Sequence, residues 1–262
     1  DAVTDDARLV QRVLGEARAD GGSVTLSAAD GSMDMQQISI FGKPVWSEQT
    51  LTVNGREIPA TQNGWQLLRT NASLPMTLSS SMPWQIGFIN IERPGRGVTV
   101  SAMGINGAQL SQWSKWRPGM WEDLAQTKAD LIILAYGTNE AFSGNLDISS
   151  TERTWRNYIR QIKNTLPNAG ILILGAPESL KTAYGSCGNR PVLLSEIQQM
   201  QQRVARDEKI MFWSWQDAMG GACSMKNWMA QGLAAKDGVH FSAQGYETAA
   251  DKLADSLIRF AQ

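Results

Sequence analysis

Towards the carboxyl end of the chain, short runs of apolar residues alternate with segments whose apolar residues recur every three or four positions. The runs are Val98 to Ala102, Leu131 to Ala135, Ile171 to Leu174 and Ile210 to Trp213. Runs of this length predict buried strands of a parallel sheet, and the segments between them predict amphipathic crossover helices. The pattern therefore predicts a three-layer α/β domain over residues 96–262.

Three segments carry a clear apolar helical face, two of them between the runs and one after the last run. The first passes through Trp155, Tyr158, Ile159, Ile162 and Leu166, and the second through Leu194, Ile197, Met200 and Val204. The last has Ala250, Leu253, Ala254, Leu257 and Ile258 on one face. Serine is a favoured N-cap residue, so we expect Ser242 to begin this final helix.

Residues 22–95 show a different pattern, in which apolar and polar residues alternate over short stretches. The stretches 23–27, 37–41, 50–53 and 76–79 read as strands, and turn dipeptides lie between them at Asp30-Gly31, Asn54-Gly55 and Asn63-Gly64. This spacing predicts a compact antiparallel β sandwich that ends near Pro94 to Gly97. Its tryptophans, Trp46, Trp65 and Trp84, are more often core residues than a glycan-binding surface.

Residues 1–21 precede the β region. Leu9, Val10, Val13, Leu14 and Ala17 make a short helical stripe in this segment. The pattern indicates either a helix or a solvated linker.

Composition narrows the function classes. The net charge is -1 and no long run of one sign occurs, so the chain lacks the electrostatic footprint of nucleic-acid or anionic-membrane binding. No run approaches the roughly 18 apolar residues of a membrane span, and the first residues lack a signal-peptide pattern. We therefore expect a soluble protein, either mature or cut from a longer one, with uncharged or weakly charged substrates.

The two cysteines, Cys187 and Cys223, lie in polar, glycine-containing segments outside the predicted strands and helices. Buried reduced thiols are the usual state of cysteine, but loop positions favour a disulfide in an oxidising compartment. We predict this disulfide and a periplasmic or secreted location.

The only histidine of the chain, His240, follows Asp237 by three residues, just before the final helix. A carboxylate at this spacing can accept a hydrogen bond from Nδ1–H and leave Nε2 to act as a general base. Alone, the pattern favours a capping aspartate beside a surface histidine. Two further segments favour the catalytic interpretation.

Both segments follow predicted strands. Gly107 lies after the first strand, where a backbone N–H could donate to developing negative charge, although a glycine here could simply shape a turn. Asn139 follows the second strand, and its amide could be another such donor, although asparagine in loops often only caps a turn. Glu140 could be taken for a general acid or a metal ligand. With a single histidine and no second carboxylate at metal spacing, we set metal catalysis aside and expect no cofactor.

Together these segments resemble those of the SGNH (GDSL-like) hydrolase family over about residues 97–262. The glycine of the family's second block matches Gly107, the asparagine of the third matches Asn139, and the Asp-x-x-His of the fifth matches Asp237 and His240. The resemblance implies a flavodoxin-like α/β fold, a Ser-His-Asp triad and an oxyanion hole formed by Gly107 and Asn139.

Three longer motifs narrow the resemblance: Gly-Ile-Asn-Gly-Ala-Gln-Leu, Gly-Thr-Asn-Glu-Ala-Phe and Asp-Gly-Val-His-Phe-Ser. They are similar to those of the periplasmic peptidoglycan O-acetylesterases of Gram-negative bacteria. That subfamily inserts a small β domain, similar to a carbohydrate-binding module, where this chain has residues 22–95. The resemblance therefore implies O-acetylated peptidoglycan strands as the substrate.

The family's nucleophile is the serine of a Gly-Asp-Ser motif at the end of an interior strand, and this motif does not occur in the 262 residues. Gly22-Ser23 and Gly31-Ser32 lie in the predicted β region and do not follow a parallel strand. Losing an interior strand would leave backbone groups unpaired at about 1 to 3 kcal/mol each, against a typical stability of about 5 to 15 kcal/mol. We therefore expect that a separate chain, or a longer form of this chain, supplies the strand and its serine.

The sequence thus predicts a serine esterase that removes O-acetyl groups from peptidoglycan. The alternative is a non-catalytic glycan-binding protein on an inactive hydrolase scaffold, which the missing serine favours and the presence of the other site residues disfavours. A lipid esterase or thioesterase on the same scaffold would need an apolar acyl pocket.

Overall fold

The structure is a computed structural model that describes residues 3–5, 8–11, 23–27, 33–46, 49–95, 97–116 and 118–261. The chain divides into two compact units, Asp1–Met103 and Gly104–Gln262. The first contains β structure, and the second contains the helices and the parallel strands.

The first unit has two antiparallel sheets. The strands are β1 Val3–Asp5, β2 Arg8–Gln11, β3 Ser23–Leu26, β4 Met35–Pro44, β5 Thr50–Val53, β6 Arg56–Pro59, β7 Gln66–Ser73, β8 Met76–Ser79 and β9 Trp84–Glu92. One sheet has the order β1-β2-β9-β4-β7 and the other the order β3-β8-β5-β6. Side chains from both sheets form one core, which includes Ile38, Ile40 and Ile89 from the first sheet and Leu51 and Met76 from the second.

The alternation that predicted the strands is what builds this core. In β5, Leu51 and Val53 are buried while Thr50 and Thr52 are partly exposed. The Asn54-Gly55 turn joins β5 to β6 with φ angles of 47° and 80°, as a two-residue hairpin requires. The predicted antiparallel sandwich is therefore present.

The helical stripe predicted near the start of the chain is wrong where the structure describes it. Residues Arg8–Gln11 form a strand that pairs with β9, and residues 12–18 lie outside the described residues. Pairing to a long neighbouring strand satisfies the backbone N–H and C=O groups of this short segment, which overrides a weak helical pattern. The Asp30-Gly31 turn and Gly31-Ser32 also lie outside the described residues.

The three tryptophans of this unit have different surroundings. Trp84 is fully buried in the core. Trp65 stacks on Phe41 with ring centroids 5.1 Å apart, and Trp46 is 60% exposed. Only Trp46 presents a largely open aromatic surface among them.

The second unit begins with a 3-10 helix, Leu110–Lys115, and alternates strands with helices. Its elements are α1 Met120–Thr127, β10 Leu131–Leu134, α2 Thr138–Phe142, α3 Ile148–Thr165, β11 Gly170–Leu174, α4 Leu194–Glu208, β12 Met211–Trp213, α5 Trp215–Met219, α6 Met225–Ala230 and α7 Ala243–Ala261. The strands form a parallel sheet in the order β10-β11-β12. This is the predicted α/β fold class.

The two faces of β11 are both covered. Ile171 and Ile173 pack in one cluster with Trp155 and Ile159 of α3 and with apolar residues of α4. Leu172 and Leu174, which point to the other face, are also buried. A strand covered on both faces explains why the sequence of β11 is a continuous apolar run.

The predicted strand Val98 to Ala102 is wrong. Residues 98–102 have no regular secondary structure, and Val98 and Val100 are 80% and 75% exposed. A strand needs a neighbour that satisfies its backbone, and apolarity alone does not supply one. Within the described residues, β10 has a partner on one edge only, and Ile133 of β10 is 42% exposed.

The final helix is present, but part of its predicted apolar face is wrong. Gly245 and Ala249 are buried and Leu253 and Leu257 partly buried, whereas Ala250, Ala254 and Ile258 are exposed. The helix is therefore rotated relative to the prediction, because alanines fit either face and mark an apolar stripe weakly.

In the described part of the chain, no helix combines the length and apolarity needed to cross a membrane.

Candidate active site

Asp237 and His240 form a hydrogen-bonded pair on the loop between α6 and α7. His240 Nδ1 lies 2.7 Å from Asp237 Oδ2. The other carboxylate oxygen, Oδ1, accepts from the backbone N–H of Val239 at 2.8 Å and of His240 at 3.0 Å. One aspartate therefore both shapes the loop and orients the imidazole ring.

The hydrogen bonds of Asp237 determine where the proton lies between Asp237 and His240. The hydrogen bond from the His240 side chain, helped by the backbone N–H groups of His240 and Val239, lowers the pKa of Asp237 from 3.8 to about 2. Asp237 is thus ionised at neutral pH and can only accept. The proton between the two side chains belongs to Nδ1, which leaves the Nε2 lone pair to act as a base.

Hydrogen bonds hold the loop that carries the pair on both sides of His240. Gly238, with a φ of 70°, accepts a hydrogen bond from the Leu180 N–H at 2.8 Å, and a Cβ at position 238 would lie 3.0 Å from Leu180 Cβ. After the histidine, Ser242 Oγ accepts from the Gly245 N–H at 3.1 Å, which is the predicted N-cap of α7. Although the His240 side chain is 72% exposed, its backbone N–H and C=O are both hydrogen-bonded.

Gly107 lies in a tight turn directly before the 3-10 helix. The Ala108 N–H donates to the Ile105 carbonyl at 3.1 Å, and Gly107 has a φ of 77°. Positive φ at the third position of such a turn strongly favours glycine. A Cβ at Gly107 would meet nothing within 4 Å, so the space in front of this turn is open.

Asn139 lies in the first turn of α2, after the carboxyl end of β10. Its Nδ2 donates to the Ala108 carbonyl at 3.0 Å. A side-chain amide carries two N–H groups, so one is used to orient the side chain and the second can point at a ligand. Gln109 Nε2 donates back to the Asn139 carbonyl at 3.2 Å. The structure thus brings the segments of Gly107 and Asn139 together.

Glu140 does not have the free carboxylate that a general acid or a metal ligand needs. It is 2% exposed, and its two oxygens accept from the backbone N–H groups of Leu110 and Gly137, each at 2.9 Å. Burial raises the pKa of this carboxyl, and these hydrogen bonds partly oppose the rise. The contact with Gly137 has the three-residue spacing of a capping box, whereas the contact with Leu110 could not be deduced from sequence spacing.

The loop after β11 links the two halves of the site. Gln201 of α4 donates to the Tyr136 carbonyl at 2.6 Å and accepts from the Ala176 N–H at 2.8 Å, which joins the loops after β10 and β11. The loop after β11 continues to Leu180, whose N–H binds the Gly238 carbonyl. The Asp237–His240 pair and the Gly107–Asn139 pair therefore both belong to the carboxyl edge of the sheet, where open α/β sheets bind ligands.

The disulfide predicted between Cys187 and Cys223 is present. Next to it, Glu178 is fully buried and accepts from Arg190 at 2.7 Å and from the Cys223 N–H at 3.0 Å. Leu180 follows Glu178 by two residues. The disulfide and Glu178 together stabilise the loop that supports Gly238.

No serine of the described residues is hydrogen-bonded to the His240 ring. The nearest in sequence, Ser242, uses its hydroxyl to cap α7 and to donate to the Gly232 carbonyl at 2.7 Å. Ser23 lies in β3 of the first unit, so it does not follow a parallel strand.

Comparison with solved structures finds similar proteins. A solved structure described as a peptidoglycan O-acetylesterase is 63% identical, with a TM-score of 0.85 over 94% of this chain and 70% of that chain. Two distant structures also match. An acetyl xylan esterase is 16% identical, with a TM-score of 0.47 over 58% of this chain and 78% of the other. A lipase/acylhydrolase from Enterococcus faecalis is also 16% identical, with a TM-score of 0.40 over 54% and 66%.

A comparison with curated protein sequences finds no match. The sequence pattern of the GDSL-like lipase/acylhydrolase family matches residues 81–248, which include Gly107, Asn139 and the Asp237–His240 pair. This match covers more than half of the chain and agrees with the 63% identity to a solved esterase. The chain belongs to the GDSL-like lipase/acylhydrolase family.

Proposed function

We propose that this protein is a serine esterase that removes O-acetyl groups from peptidoglycan. The observation that carries the proposal is the 2.7 Å contact between Asp237 and His240 in a chain 63% identical to a peptidoglycan O-acetylesterase. The same identity favours the esterase over a glycan-binding protein on an inactive scaffold.

His240 is the general base in this proposal. Its Nε2 takes the proton of a serine hydroxyl while the serine oxygen attacks the acetyl carbonyl carbon. The imidazolium is stabilised by the ionised Asp237, and it then returns the proton to the sugar oxygen as the ester bond breaks. The acetyl group remains on the serine until water, activated by His240, releases it as acetate.

Gly107 and Asn139 form the oxyanion hole in this proposal. The carbonyl oxygen becomes negative when the serine attacks, and N–H donors fixed in advance stabilise it without reorganising. The open turn at Gly107 and the oriented amide of Asn139 support this role.

The serine lies outside these 262 residues, on a strand that pairs with the open edge of β10, in either a separate N-terminal chain or a longer form of this one. Three observations support this part of the proposal. No serine of the described residues reaches His240, β10 has one partner among them, and Ile133 on β10 is 42% exposed. An apolar strand with an unpaired edge is an unfavourable surface for a protein to leave in water.

The domain organisation and location extend the proposal. Residues 22–95 act as an inserted domain similar to a carbohydrate-binding module, residues 96–262 form the hydrolase domain, and residues 1–21 are an N-terminal segment or linker. The Cys187–Cys223 disulfide supports a periplasmic or secreted location, because disulfides persist in oxidising compartments. The partner is the O-acetylated glycan strand of the cell wall.

The test uses the protein as its own cell produces it. We expect the purified protein to release acetate from O-acetylated peptidoglycan, and the same protein carrying His240→Ala to release none, because the chain has no other histidine. Binding to peptidoglycan without acetate release would overturn the esterase and favour the glycan-binding alternative.

The nucleophile has its own test. A fluorophosphonate, which reacts covalently with activated serines, is expected to label one serine, and mass spectrometry of the digested protein then identifies the labelled peptide. A labelled peptide absent from the 262 residues supports the proposed origin of the serine. A labelled serine within them would overturn it.

A further inference from the structure

Glu140 is a buried carboxylate whose partners are backbone N–H groups rather than a cationic side chain. It is 2% exposed, and burying a carboxylate disfavours its charged form. That cost is reflected in the raised pKa of Glu140, for which burial is the largest cause. A neutral residue would avoid this cost, so the position of the charge calls for an explanation.

The contacts of Glu140 join two segments of the site that are distant in sequence. Oε1 accepts from the N–H of Leu110, three residues after Gly107. Oε2 accepts from the N–H of Gly137, two residues before Asn139. One carboxylate thus spans the turn that carries one proposed oxyanion donor and the loop that carries the other.

The other bonds between these segments are more exposed to water. Asn139 Nδ2 binds the Ala108 carbonyl at 3.0 Å, and Gln109 Nε2 binds the Asn139 carbonyl at 3.2 Å, and Asn139 is an exposed residue. Water competes with hydrogen bonds at the surface, whereas bonds to a buried, charged acceptor are stronger. Glu140 is therefore the firm link between the two segments.

We propose that Glu140 is a positioning residue: its two carboxylate oxygens hold the Gly107 turn and the Asn139 segment at one separation, so that both donors point at the same oxyanion. This inference rests on the proposed function and deepens it. Glu140 contacts neither the substrate nor the reacting atoms, and it acts through Gly107 and Asn139.

The expected signature is a loss of turnover without a loss of substrate binding. The oxyanion exists only in the transition state, so donors held out of place lower kcat and leave KM nearly unchanged. Glu140→Gln keeps the size of the side chain but turns an NH2 group towards one of the two N–H donors. We expect kcat to fall about 10 to 100 fold, the scale of a misplacement of about 1 Å. Glu140→Asp, which keeps both oxygens, is expected to restore part of the rate.

A double-mutant cycle with Asn139 separates positioning from general damage to the fold. Asn139→Ala alone should lower kcat roughly 100 to 1,000 fold, the usual effect of removing one oxyanion donor. If Glu140 acts through Asn139, then Glu140→Gln lowers kcat by a much smaller factor in the Asn139→Ala background than in the wild type. If Glu140→Gln instead damaged the fold in general, it would lower kcat by the same factor in both backgrounds.

The control is Glu208→Gln. The Glu208 side chain is 9% exposed and forms ion pairs with Arg160 and Lys163. Glu208 lies just before β12, at the amino ends of the strands, whereas the candidate site lies at their carboxyl ends. Glu208→Gln removes one negative charge from a nearly buried site, as Glu140→Gln does. We expect the kcat of Glu208→Gln to stay close to that of the wild-type protein. Thermal unfolding of each variant, made in the naturally produced protein, shows whether the fold is kept.

Two rates are measured for each variant: acetate release from peptidoglycan and covalent labelling by a fluorophosphonate. Labelling needs the serine and the oxyanion hole but not the natural ester. Slower labelling in folded Glu140→Gln supports the inference even if peptidoglycan proves not to be the substrate. The inference would be overturned, while the proposed function stands, if labelling and turnover were unchanged in that variant. It would also be overturned if Glu140→Gln lowered kcat by the same factor with and without Asn139→Ala. A wild-type protein that neither labels nor releases acetate would overturn both.

Discussion

At the scale of single residues, the site depends on one aspartate that uses both oxygens. Asp237 Oδ2 binds the imidazole, and Oδ1 holds the backbone of the following two residues. The loop and the ring orientation are thus set by the same side chain. In the proposed mechanism, changes at Asp237 alter catalysis through the tautomer of His240.

Asp237→Asn is expected to lower kcat on the order of 10,000 fold. Its amide can still accept the backbone N–H groups through one oxygen, but its NH2 faces Nδ1 and forces the ring proton to Nε2. The base is then blocked although the geometry is kept. Acetate release measures the effect, with Asp251→Asn as a control because Asp251 is exposed on α7. A loss of less than tenfold would contradict the assigned role.

The charge of Asp237 makes a prediction about pH. Since the pKa of Asp237 is about 2 in the folded protein against 3.8 ordinarily, the carboxylate stabilises the fold fully above about pH 3.8. That stabilisation is lost as the pH falls through about 2. We expect the carboxyl carbon of Asp237, followed by NMR, to keep its ionised shift from pH 7 to about pH 4. A titration midpoint above pH 4 would show that the hydrogen bond from His240 is not formed.

Gly107 and Gly55 offer a matched pair of substitutions. They have φ angles of 77° and 80°, and a Cβ at either would meet nothing within 4 Å. Alanine at either position should cost about 1 to 2 kcal/mol through backbone strain alone. Only Gly107→Ala should also lower kcat, by about 10 to 100 fold, because its N–H would shift. Chemical unfolding and acetate release compare the two, and an equal effect on kcat would remove Gly107 from the oxyanion hole.

At the scale of elements, the carboxyl edge of the sheet is organised by loops that hold one another. The disulfide between Cys187 and Cys223 and the buried Glu178 stabilise the loop after β11. That loop supports the Asp237–His240 loop through the hydrogen bond between Leu180 and Gly238. The Asp237–His240 pair is thus supported by segments outside the proposed set of catalytic side chains.

Replacing both cysteines by serine should lower the free energy of unfolding. The disulfide closes a loop with a sequence separation of 36 residues, so the chain-entropy model gives on the order of 3 to 4 kcal/mol. Denaturant unfolding of the oxidised wild type and of the double variant measures the difference. A reduced wild type should match the double variant, and no change in either case would show that the loop is held without the disulfide.

At the scale of the whole molecule, the proposal that the nucleophile lies outside these 262 residues makes one prediction. The 262 residues have a mass of 28.7 kDa. We expect the protein purified from its own cells to show, under denaturing conditions, either a mass well above this value or a second chain. A single, active species of 28.7 kDa would place the nucleophile within these residues and contradict the proposed origin of the serine.

Much of the second unit could be predicted because its signals are local and redundant. The runs that became β10, β11 and β12 are apolar on both faces, and α3 and α4 carry clear apolar stripes. Weaker patterns failed. The mostly polar β7 was missed, and the segment now seen as β2 was taken for a helix or linker. In both cases a strand partner distant in sequence supplies the stabilisation that the local pattern lacks.

The sequence by itself determined the parts of the site that depend on short spacing. A carboxylate three residues before a histidine can reach its ring, and Asp237 and His240 do form this contact. Gly107 and Asn139 were proposed from their resemblance to blocks of the family, and their roles stay predictions. Only the tertiary structure decided that Glu140 binds the N–H of Leu110 and that the apolar run at Val98 to Ala102 does not form a strand. Both depend on what lies beside a segment in space and not on its neighbours in sequence, because a hydrogen bond or a sheet edge is satisfied by whatever the fold brings beside it.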